Sequence, residues 1–168
     1  MYSQVVEHSS LLGKTKKHPL QGVFLLLTFG FYGMLLVMNK EEIIKYWREA
    51  SDSDFDLSKN LFDTTRYSYS LFFLHLSIEK LLKGLIVNNT DQTVPFEHNL
   101  VRLAEIAKIS CSEEQLDLLS DITTFNIKGR YDDYKNQFYK IATREYAQKY
   151  IQESSELILW LKNNFQKI

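Results

Sequence analysis

The stretch from Leu71 to Ile86 limits the fold more than any other part of the chain. Leu71, Phe72, Phe73, Leu74, Leu76, Ile78, Leu81, Leu82, Leu85 and Ile86 cover most of the circumference of a helix. A helix that is apolar nearly all round must be surrounded by other elements, so it belongs at the centre of a bundle. The pattern predicts this helix over about Tyr67–Val87, closed by Asn88-Asn89-Thr90-Asp91-Gln92, with Pro95 in the loop beyond. Its neighbours also read as helices. Ile43, Ile44, Trp47, Ala50, Leu57, Leu61 and Phe62 recur at helical spacing over about Lys40–Phe62. Ser51-Asp52-Ser53-Asp54 interrupts that stripe and reads as a solvated face or a kink. A turn is expected at Asp63-Thr64-Thr65, where Asp and Thr can cap.

A third helix is expected over about Asn99–Ile109. A fourth follows Ser112, where Ser-Glu-Glu-Gln resembles a capping box, and runs to about Phe125. A fifth spans about Thr143–Phe165, with Tyr146, Tyr150, Leu157, Trp160 and Leu161 inward. Only 6 glycines and 2 prolines punctuate 168 residues, which favours long helices over many short strands. The expected architecture is all-α, an up-and-down bundle of four to five helices over residues 39–168, preceded by an apolar N-terminal helix.

Residues 1–38 differ from the rest. Gly22 to Met38 is uncharged and almost wholly apolar, and its length sits at the lower edge of what spans a bilayer. Lys14, Lys16 and Lys17 on one side nearly balance Lys40, Lys45 and Arg48 on the other, so the positive-inside rule gives no orientation. Three readings stay open: a single membrane anchor, a buried or docking helix, and a native start at Met38 with upstream residues that are not native. The location is cytoplasmic unless the anchor is real.

The formal net charge of -1 excludes a global basic field, so any nucleotide or RNA site must be a local patch. The lone Cys111 excludes an internal disulfide and a cysteine-built zinc site. His8, His18, His75 and His98 lack short metal-ligand spacing, so no metal is expected, nor any cofactor. There is no glycine-rich phosphate loop.

The chemistry concentrates in Asn126 to Tyr134. Arg130 offers a planar fork of donors suited to phosphate, and Lys128 adds a second cation. Tyr131 and Tyr134 can stack on a base, and Gly129 lets the backbone approach closely. The plainer alternative is a solvated loop in which Arg130 pairs with Asp132 or Asp133. On the central helix, His75, Glu79 and Lys83 step by four and share a face. They read either as a surface ion pair with a partly buried histidine, or as a buried Glu79 carboxylate paired with Arg130, because an unpaired buried charge is costly. His98 reads as a capping or core-edge residue.

Three blocks together resemble the HEPN family. Leu71 to Leu85 is similar to its aromatic-rich second helix with Glu-Lys-x-x-Lys, here Glu79, Lys80 and Lys83. Phe96-Glu97-His98-Asn99-Leu100 resembles the His-Asp/Asn-Leu that opens its third helix, and Phe125 to Tyr134 resembles its Arg-Tyr-x-Asp segment. The resemblance covers about Asn39–Phe165. It implies a helical bundle that homodimerises, with the arginine segments along a shared cleft. It also implies a nucleotidyltransferase partner in a toxin–antitoxin-like system, with nucleotide or RNA as ligand. The binding residues carried over are Arg130, Lys128, Tyr131, Asp132, Tyr134, Glu79 and Lys83. Some members are metal-independent RNases with an Arg-x4-6-His motif. Here no histidine follows His98, so the resemblance supports binding more than cleavage. An RNase with a variant site would have to use Arg130, Tyr131 or Asp133. A membrane-tethered interaction module is the remaining alternative and rests on residues 22–38.

Overall fold

A computed structural model describes residues 39–90, 92–130 (backbone alone for 127–130) and 138–165. Five helices order these residues: α1 (Lys40–Asp63), α2 (Tyr67–Asn89), α3 (Leu100–Ile106), α4 (Glu113–Arg130) and α5 (Arg144–Asn163). Residues 138–141 are also helical, and the described residues contain no strand. The all-α expectation holds, and the N-terminal segment 22–38 lies outside the described residues. No helix among the described residues is long and apolar enough to cross a membrane.

Four of the five helices begin where the sequence provides a side-chain cap, α2 after Arg66 being the exception. Asn39 and Glu42 form a reciprocal capping box, with both backbone-to-side-chain bonds at 2.9 Å. Ser112 and Gln115 do the same for α4, and the hydroxyl of Thr143 accepts from the Tyr146 amide at the start of α5. These bonds satisfy donors that the first helical turn leaves unpaired. At the α1–α2 turn Thr65 adopts φ 60, a left-handed conformation that reverses the chain. Lys108 at φ 55 does likewise after α3. The third helix therefore ends at Ile106, short of the expected Ile109.

The centre is α2, packed against α1, α3, α4 and α5. Leu71, Leu74, Ile78, Leu81, Leu82, Leu85 and Ile86 are all fully buried, as an all-round apolar helix requires. They meet Leu103 from α3, Leu119, Ile122 and Phe125 from α4, and Leu161 from α5 within one core.

One expectation is corrected at α1. Ser51 and Asp54 are buried instead of solvated, although Asp52 and Ser53 between them are exposed. The Ser51 hydroxyl donates to the Ser77 carbonyl at 2.8 Å, and that of Ser58 donates to the Ser70 carbonyl at 2.8 Å. The pairs 51–77 and 58–70 define an antiparallel register. Small hydroxyls let the two helices approach closely, and a hydroxyl bonded to a carbonyl can be buried. Asp54 is paired with Lys80 at 2.6 Å.

Candidate functional site

The α4 helix runs past the expected end at Phe125 to Arg130. The segment read as an interhelical stretch from Asn126 is therefore helical over its first five residues. Arg130 stands eight residues beyond Ile122, a rise of about 12 Å along the axis. The side chains of Lys128 and Arg130, and all of Tyr131, Asp132, Asp133 and Tyr134, lie outside the described residues. The alternative ion pairs from Arg130 to Asp132, Asp133 or Glu79 lie outside them too.

What the structure describes is the other half of the predicted set. Glu79 is buried on α2 and collects three nitrogen donors. Lys83 Nζ lies 2.6 Å from its Oε1, and His75 Nε2 and His98 Nδ1 both lie 3.0 Å from its Oε2. His75 and Lys83 come from the turns before and after Glu79. His98 comes from the loop that leads into α3, which returns beside α2 because the Leu100 amide bonds the Thr123 hydroxyl at 3.0 Å.

Burial pushes the Glu79 carboxyl upward. The hydrogen bond from His75, the charge of Lys83 and the bonds from Lys83 and His98 outweigh that push and hold it at about 2. Glu79 is thus an acceptor only. His75 Nδ1 faces the Ile122 carbonyl at 3.2 Å while Nε2 faces Glu79. The ring is fully buried between that carbonyl and the carboxylate. The sequence expectation of a partly buried histidine is corrected: α4 closes over the ring.

The cluster opens at His98, whose side chain is 47% exposed. With Nδ1 on Glu79, its Nε2 has no partner among the described residues. His98 is not the cap of α3; Asn99 is, accepting from the Arg102 amide at 3.0 Å. The Glu97 carboxylate accepts from the amides of both His98 and Asn99 at 2.8 Å, and these bonds hold it below the usual carboxylate range. One turn beyond Ile122, Asn126 is buried with its Oδ1 unpartnered among the described residues.

Sequence reasoning missed His98 as a partner of Glu79. The available signal was the cost of a buried carboxylate together with a histidine at the start of the next helix. No group of residues able to hold a metal occurs among the described residues. A groove of about 830 Å³ elsewhere, between the start of α1 and the end of α5, has Lys45 paired with Glu49 and Lys162 with Asp52. It shares no residue with the Glu79 cluster.

Comparison with known proteins bears on this arrangement. A family profile described as HEPN domain matches residues 44–164. The fold is similar to that in the crystal structure of TT1696 from Thermus thermophilus. The TM-score is 0.61 and the identity 16%, over 71% of this chain and 96% of that one. No curated protein matches the chain.

Proposed function

Because the chain belongs to the HEPN family, we propose that it is a module binding the phosphate of a nucleotide or RNA, working as a homodimer with a nucleotidyltransferase partner. The observation that supports this most is the Glu79 cluster, in which three nitrogen donors surround one carboxylate and the outermost, His98, faces solvent. Such an edge attracts an anion. Lys83 and His98 line it, and Lys128, Arg130, Tyr131, Asp132 and Tyr134 supply the second part of the site from the end of α4 onward. Titration of ATP and of a short RNA against wild type and Arg130→Ala tests the reading. A charge-assisted phosphate contact is worth about 1.5–3 kcal/mol, so Arg130→Ala should weaken binding roughly 10- to 100-fold. Equal affinity of the two proteins would sink it.

A second reading, metal-independent RNA cleavage, gains support from His98 itself. The Arg-x4-6-His motif lacks its histidine. His98 nevertheless supplies an imidazole oriented by a carboxylate with Nε2 outward, the arrangement of a general base. RNA incubated with the protein in chelator should then be cut, and His98→Ala should abolish cutting. Intact RNA after incubation with wild type rejects this reading.

A further inference from the structure

Along α1 and α3, exposed acids are paired on their own helix: Glu49 with Lys45, Asp56 with Lys59 and Glu105 with Arg102. The sides of α4 and α5 that line a common groove break that pattern. Glu114, Asp117 and Asp121 follow one another at three and four residues on α4, and Glu153 and Glu156 stand three apart on α5. Like charges at these spacings destabilise a helix. Against the five carboxylates the groove has one cation, Lys149, 3.9 Å from Glu153. Glu114 and Asp121 take neutral donors, the hydroxyls of Ser112 and Tyr150. Asp117 and Glu156 have no ionic partner among the described residues.

The groove measures about 590 Å³ and has an apolar floor, made by Leu118 of α4 and by Leu157 and Trp160 of α5. Trp160 is half-buried, and its indole N–H has no partner among the described residues. A low-dielectric floor between walls of one sign focuses the field on a cation. A small metal ion would leave the floor unused, and a nucleic acid would be repelled by the walls. A polypeptide that carries both cations and apolar side chains matches both parts.

We propose that the α4–α5 groove docks a cationic amphipathic helix of a partner polypeptide. Its apolar face lies on Leu118, Leu157 and Trp160, and its Lys or Arg side chains meet the acidic walls. Glu114 and Asp121 stand seven residues apart, about 10.5 Å along the axis, which matches basic residues at i and i+7 of a helix laid along the groove. Trp160 is the anchor, since a half-buried indole with an unpaired N–H suits the centre of an interface. The groove shares no residue with the Glu79 cluster, so the proposal stands apart from the phosphate reading.

Trp160 also supplies the readout, because Trp47, the other of the two tryptophans, is buried. A helical peptide of about 18 Leu and Lys residues, with Leu on one face, is titrated into the full chain at physiological ionic strength. It should shift tryptophan emission to the blue, and Trp160→Phe should lose that shift. A peptide of equal charge with Ser in place of Leu should bind about 10-fold or more weakly. Asp117→Lys with Glu156→Lys should weaken the Leu and Lys peptide roughly 10-fold or more. Glu49→Lys with Asp63→Lys, an equal change of charge on α1, should stay within about 2-fold of wild type. The proposal is overturned if the two double variants weaken binding equally, if the Ser peptide binds as tightly, if the emission shift survives in Trp160→Phe, or if wild type binds neither peptide. None of these results bears on phosphate binding.

Discussion

At Glu79 burial and charge oppose each other, and the outcome is measurable. Replacing it by Gln keeps the shape but leaves Lys83 as a buried cation without its counter-charge. Removing one partner of a buried ion pair costs about 3–5 kcal/mol. Glu79→Gln should therefore lower the thermal midpoint by roughly 10 °C or more. The acid limb gives a second check. The carboxyl sits at about 2 in the folded chain against an ordinary value of 4.5. Its contribution is fully present above about pH 4.5 and is lost as pH falls through about 2. Urea midpoints measured over that range should fall for wild type more steeply than for Glu79→Gln; parallel curves would show that Glu79 is not the group responsible. The i, i+4 partners His75 and Lys83 were legible from helical spacing, and so was the need for a neutralising partner. His98 was not, because its approach depends on how the loop after α2 returns, and no local pattern encodes that.

Among the elements, the α1–α2 pair shows how polar residues can form a packing face. The sequence pattern marked the apolar stripe of α1 correctly at Ile44 and Trp47, both buried. It misread Ser51, since a serine bonded to a facing carbonyl looks the same in sequence as a serine in water. Ser58→Leu should force the helices apart at a fully buried position and cost about 1–3 kcal/mol, read as a lower urea midpoint. Gly84 is a second close approach. An added Cβ would stand 3.1 Å from Trp47 Cβ and 3.2 Å from Phe165 Cζ. Trp47 Cβ is fixed to the α1 backbone and cannot yield easily. Gly84→Ala should thus destabilise the fold despite a gain in helix propensity of up to about 1 kcal/mol, and Gly84→Val should do so more strongly. Thermal melts of both variants check this, and a rise in midpoint for the alanine variant would show that the contact relaxes. The end of α4 was misplaced by five residues for a related reason. Gly129 and the polar residues around it resemble a loop, yet Phe125 and Asn126 are buried and the helix continues through them.

For the molecule as a whole, residues from Met38 to Ile168 form their own compact unit. A chain beginning at Met38 should unfold cooperatively with the helical content of a folded bundle, checked by circular dichroism; a molten product would mean that upstream residues are needed. The bundle architecture was legible because it depends on periodicity, whereas the site depends on contacts between elements far apart in sequence. The aromatic group at one end of the bundle has a consequence of its own. Phe125 stacks on Phe138 with centroids 5.6 Å apart, and Tyr150 meets Phe125 edge-on at 5.0 Å. The same Tyr150 hydroxyl donates to Asp121 at 2.9 Å. Phe125 is thus a shared hub for α4, α5 and the helical residues 138–141. Whatever loosens that one ring loosens three helical stretches at once.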